Sequence, residues 1–146
     1  MSASNHTENA LALLIFNNTA FANVGDASGL QPSATAGNFY ARLHTADPGE
    51  AGDGDTNAIS YTGYAPVAIA RSAGGFTVTG SNIANTAAVQ FGECTAGSGT
   101  ATHFSITLGS GAASPILYSG ALTASRAISA GITPLFNAGA LSGSID

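Results

Sequence analysis

The chain has 146 residues, 45% of them hydrophobic and only 8% charged, with a formal net charge of −5. That length fits one domain able to bury about two-thirds of its unfolded surface, and the ample hydrophobicity at modest net charge argues against a disordered chain. Three arginines, Arg42, Arg71 and Arg126, with no lysine, supply no basic patch for a run of phosphates, so no nucleic-acid partner is expected.

A typical soluble domain is about one-quarter charged. The exterior here must therefore be built from Ser, Thr, Asn, Gly and Ala, a surface that is cheap to desolvate because no ion has to leave water. Such a surface suits a subunit covered by neighbours better than a dispersed monomer.

The opening residues MSASNHTENA lack the basic start of a secretory signal, and the apolar run from Leu11 to Phe16 is too short to span a membrane. Assembly in the cytosol, with no membrane partner, is the expectation. Asn5 and Glu8 bracket a capping pattern ahead of ALALLIF, and Asn17-Asn18 close it, which predicts a helix of about three turns. Leu11, Leu14 and Ile15 share one face, widened by Leu13 and Phe16. So short a helix must dock on something.

Residues 19–37 are small, polar or glycine, with Phe21, Val24 and Leu30 as scattered anchors, and read as a long irregular arm suited to contact with another subunit. The expected division is a helix and arm over 1–37 and a β domain over 38–146. Leu11, Leu14, Ile15, Phe21 and Leu30 are the candidate interface residues.

From residue 38 onward the pattern becomes short β-like runs separated by Gly, Pro, Asn and Ser. Strands are expected at 38–44, 64–71, 75–79, 86–91, 102–108, 115–122, 126–130 and 133–136, with a last one near Leu141. In FYARLH, Phe39, Ala41 and Leu43 face one way and Tyr40, Arg42 and His44 the other, while Phe104, Ile106 and Leu108 share a side. Gly74-Gly75 between two runs marks a tight hairpin. Many short strands after a single helix, with no βαβ alternation, predict an all-β antiparallel sandwich of jelly-roll type.

Motifs that carry chemistry are scarce. The acidic stretch from Asp47 to Asp55 has Asp53 and Asp55 spaced like the start of a calcium loop, but Ala58 stands where the sharp turn needs Gly and Tyr64 where a bidentate Glu belongs. It reads as a solvated turn, with no metal. His6, His44 and His103 are far apart and outside any ligand-spaced motif. No Gly-x-Ser-x-Gly elbow occurs, lone Cys94 has neither a disulfide partner nor a catalytic signature, and no glycine-rich loop leads into a helix. No cofactor and no enzymatic activity are expected. The aromatic residues sit mostly in alternating runs, as core filling does.

Four stretches carry a resemblance: LHTADPGEAG at 43–52, SYTGYAPVAIARSAGGFTV at 60–78, THFSI at 102–106 and ILYSGALTASRAISAGITPLF at 116–136. Together they resemble the capsid cement, or decoration, proteins of tailed phages, that of the Bordetella podovirus among them. The resemblance implies a jelly-roll protein on the capsid exterior that associates with itself as a homo-oligomer, a dimer favoured, and bridges copies of the major capsid protein. Some relatives carry tail-fibre designations, so a tail or fibre component acting in host attachment is the alternative.

Overall fold

A computed structural model describes residues 2–145. The fold is all-β and antiparallel, of the sandwich class expected, with one short N-terminal helix. The chain forms two compact units, one of residues 2–37, 69–88 and 136–145, the other of residues 38–68 and 89–135.

In the first unit, helix α1 spans Asn5–Asn17. Its cap is Ser4, one residue ahead of the expected Asn5, whose hydroxyl accepts the Thr7 backbone N–H. The helix ends where Asn18 turns left-handed at φ 54°, a conformation Asn tolerates better than most residues. Ala12 and Phe16 form its buried edge, whereas the predicted stripe of Leu11, Leu14 and Ile15 is only half-buried.

The partner of that edge is a three-stranded sheet, β3 (Phe76–Thr79), β4 (Asn82–Asn85) and β9 (Ser142–Ser144), in the order β3-β4-β9. Phe16 meets Phe76 edge-to-face at 5.0 Å between ring centroids. Arg71 caps the helix end from outside, its guanidinium donating to the carbonyls of Leu14 at 2.6 Å and Ile15 at 2.5 Å, where a cation also meets the negative end of the helix dipole.

Residues 19–37 contain no helix or regular strand but fold back on themselves. Phe21 and Leu30 form an antiparallel bridge, and Asn18 and Ser33 exchange side-chain-to-backbone hydrogen bonds of 2.9 Å each. Gly29 is required there, since a Cβ would stand 2.0 Å from the Phe21 carbonyl oxygen at a φ of +64°.

Strand β4 falls in a stretch that reads as a turn. Its last residue, Asn85, is buried; its amide donates to the carbonyls of Ala87 and Asn137, and its oxygen accepts the Leu141 N–H at 2.8 Å. Asn85→Ala is expected to cost about 2 kcal/mol by stranding those groups, and limited proteolysis should then cut first within 137–145. Unchanged protection of that segment would refute the role.

In the second unit β1 (Asn38–His44), β6 (Ser98–Thr107) and β7 (Ile116–Ser129) lie side by side and antiparallel, with β2 (Val67–Ala70), which begins in this unit, beyond β1. Strands β2 and β3 belong to different sheets, so the turn at Gly74-Gly75 does not close the expected hairpin. Strand β5 (Val89–Gln90) pairs with β8 (Leu135–Phe136). Strands predicted separately at 115–122 and 126–130 are one continuous β7. Phe39, Ala41 and Leu43 are buried with Ile106 on one face of the sheet. Tyr64 stacks on buried Phe91 at 6.0 Å and accepts the Leu43 N–H through its hydroxyl.

Candidate functional site

Alternation along β1 correctly separates Arg42 and His44 from the apolar face, but their own face is not open to water. Arg42 is 3% exposed and His44 0%, as are two residues of β6, Ser105 opposite Arg42 and Thr107 opposite Tyr40. A charged side chain in such a place needs partners for every donor, and Arg42 finds them without a carboxylate. Its Nε donates to Thr107 Oγ1 at 3.1 Å, Nη1 to the Gly54 carbonyl at 3.2 Å, and Nη2 to the carbonyls of Ser110 at 2.8 Å and Gly111 at 2.5 Å. The guanidinium thereby fastens two surface loops to the sheet.

His44 sits between the Thr56 carbonyl, 2.8 Å from Nδ1, and Ser105 Oγ, 2.7 Å from Nε2. A carbonyl only accepts, so Nδ1 carries the proton and Nε2 accepts from the serine hydroxyl. Serine and histidine at that distance have the spacing of a nucleophile and its base. Here, however, the third position is a peptide oxygen in place of a carboxylate, and both side chains are sealed from solvent. The contact satisfies buried polar groups and holds the loop around Thr56.

Burial keeps the His44 imidazole below its usual pKa, with Arg42 acting in the same direction and the Thr56 carbonyl opposing. Folding therefore excludes a proton that the unfolded chain accepts, and stability is lost as pH falls below the ordinary histidine value of 6.5. The expected slope is at most about 1.4 kcal/mol per pH unit. Between about pH 7.5 and about pH 5.5 the wild type should lose more thermal stability than His44→Gln; equal losses would show that His44 is not the sensor.

The acidic loop is organised by its own backbone. Asp53 Oδ1 accepts from the Asp55 and Thr56 N–H groups and the Thr56 hydroxyl, all at 3.0 Å, which holds this carboxyl below its usual range. Asp47 caps the Gly49 N–H at 2.8 Å. Among the described residues no three of His, Cys, Asp and Glu gather so as to hold a metal ion. Of the histidines, His44 and His103 are brought opposite each other across β1 and β6, and His6 packs against Phe21 in the first unit. Cys94 is buried.

The candidate interface residues all belong to the first unit. Leu11, Leu14 and Ile15 are half-buried on α1, Phe21 is half-buried and Leu30 is 43% exposed, with Val24 at 39% on the same arm. One surface that the sequence reading missed is β7. It is the edge strand of its sheet, and of its 14 residues only Ile128 is buried. Its sequence carries a single charge, Arg126.

No helix among the described residues is long and apolar enough to cross a membrane. No curated protein matches the chain significantly. Residues 2–144 match the family described as Podophage GP4 fiber I protein gp80. With nearly its whole length matched, the chain belongs to this family of phage structural proteins.

Proposed function

We propose that the chain is a non-enzymatic virion subunit that decorates the capsid exterior and cements the shell by bridging major capsid protein subunits. The observation that carries this reading is the scarcity of ions, with 8% of residues charged. Membership of a phage structural family agrees with it, as do the large apolar side chains that Val24 and Leu30 leave exposed on the arm. A covered subunit gains from many weak contacts repeated by symmetry, because avidity multiplies modest single affinities.

Such a clamp depends little on charge and should resist salt. Particles washed in high salt are expected to keep the protein, and its release by salt alone would overturn the proposed mode of contact. The double variant Val24→Asp/Leu30→Asp should remain folded by circular dichroism yet fail to occupy the particle. Full occupancy would remove the arm from the interface.

The family's fibre designation supports a second reading, a tail or fibre component that acts in host attachment. Immunogold labelling separates the two: label over the shell supports cementing, and label confined to tail or fibre ends supports attachment.

A further inference from the structure

The sheet face that carries Arg42 and His44 is arranged around one positive charge. Register sets Ser105 opposite Arg42 and His103 opposite His44, so a guanidinium and two imidazoles occupy neighbouring positions on one face, with Tyr40 at the end of the row. None of β1, β2, β6 and β7 carries an Asp or Glu. Strand β7 presents Ser119 and Ala121 opposite Ser105 and His103, and its Arg126 stands opposite Ala101, past the register shift. The nearby acids are all on the loop, Asp47, Glu50, Asp53 and Asp55. Asp47 opposes the repulsion on His44, but it is exposed and already caps the Gly49 N–H, while Asp53 Oδ1 is spent on its own turn. Glu50 and Asp55 are exposed.

The hydrogen bonds of His44 leave no place for a second proton. Nδ1 donates to the Thr56 carbonyl and Nε2 accepts from the Ser105 hydroxyl. A proton added at Nε2 would point at Ser105 Oγ, whose own hydrogen must then turn away. Ser105 is fully buried, and among the described residues His44 is the one hydrogen-bond partner of its hydroxyl. The displaced hydrogen is therefore stranded in the interior. Arg42 repels the new charge, and a cation on His103 directly across the strands adds to that repulsion.

Relief is available at the loop. Residues 45–58 bury only Pro48 and Gly54. They are tied to the sheet face by polar bonds, the Thr56 carbonyl to His44, the Gly54 carbonyl to Arg42 at 3.2 Å, and the Gly54 N–H to the Ser114 carbonyl at 2.9 Å. A segment held with so little apolar burial opens before the core does. We propose that His44 is a proton-operated latch, whose protonation releases the acidic loop 45–58 from the sheet while the rest of the second unit stays folded. The loop is docked in neutral medium and free in mild acid, wherever in the particle the chain sits.

Amide hydrogen exchange of the full-length protein at about pH 7.5 and about pH 5.5, corrected for intrinsic exchange rates, tests this. The reporter is the Gly54 N–H. The references are the N–H groups of Phe91 and Cys94, bonded to the Pro134 and Ile132 carbonyls in the same unit. Uptake of one proton on opening predicts about a tenfold loss of Gly54 protection across that interval, with the references unchanged. His44→Gln, whose amide donates and accepts without titrating, should hold Gly54 protection level. Equal Gly54 protection at both pH values in the wild type overturns the inference. So does a loss shared by Phe91 and Cys94, which marks general unfolding, or a loss that persists in His44→Gln. The wild-type comparison stands by itself should the variant fold poorly.

Discussion

Arg42→Met is expected to destabilise the protein by about 3–5 kcal/mol, the range found when one partner of a buried charged network is removed. Methionine matches the bulk of the arginine stem but donates nothing. The carbonyls of Gly54, Ser110 and Gly111, together with the Thr107 hydroxyl, then lose the donor that satisfies them. Arg42→Lys should recover only part of the loss, because an ammonium cannot spread over acceptors on opposite sides as a planar fork does. The same geometry explains Gly54, where a Cβ would come within 2.7 Å of the guanidinium carbon. Urea unfolding measures the effect, and amide exchange should rise first around 54 and 109–111. A loss below about 1 kcal/mol would mean that the loops are held by other contacts.

Phe16→Ala should cost about 3–5 kcal/mol, the usual penalty for emptying a buried phenylalanine site. Phe16 is 2% exposed and packs on Phe76, whereas Leu11 and Leu14 are half-buried and should cost less when truncated. A 13-residue helix is marginal in water without tertiary contacts. Its loss of docking should therefore appear as reduced helical signal in far-UV circular dichroism along with the lower melting temperature. If Leu14→Ala proves more damaging than Phe16→Ala, the docked face has been assigned to the wrong side of the helix.

That comparison marks where sequence reasoning reaches its limit. The helix was legible within a residue of its start, because capping and apolar spacing are local properties. Its buried face was not, because Ala12 contributes too little hydrophobicity to stand out beside Leu11, Leu14 and Ile15, and a neighbouring sheet decides which side is covered. The alternation of FYARLH in β1 was equally visible, yet it did not reveal what covers Arg42 and His44. Their partners come from positions 54, 56, 105, 107, 110 and 111, and nothing local in the sequence announces such a convergence.

Strand β4 was missed because NIAN reads as a turn, its stability coming from pairing with β3 and β9 and from the buried amide of Asn85. The β7 edge was missed for a different reason. Its residues looked like two strands with a break at 123–125, and only the pairing with β6 shows one strand with an irregular register.

The most direct test of a particle subunit with an ion-poor, covered exterior is a cryo-EM map of the phage that encodes it. The account predicts repeated density for this chain against the shell, with the arm around Val24 and Leu30 in contact with a neighbouring subunit. A particle that lacks the chain, or one in which its exterior faces only solvent, would contradict it.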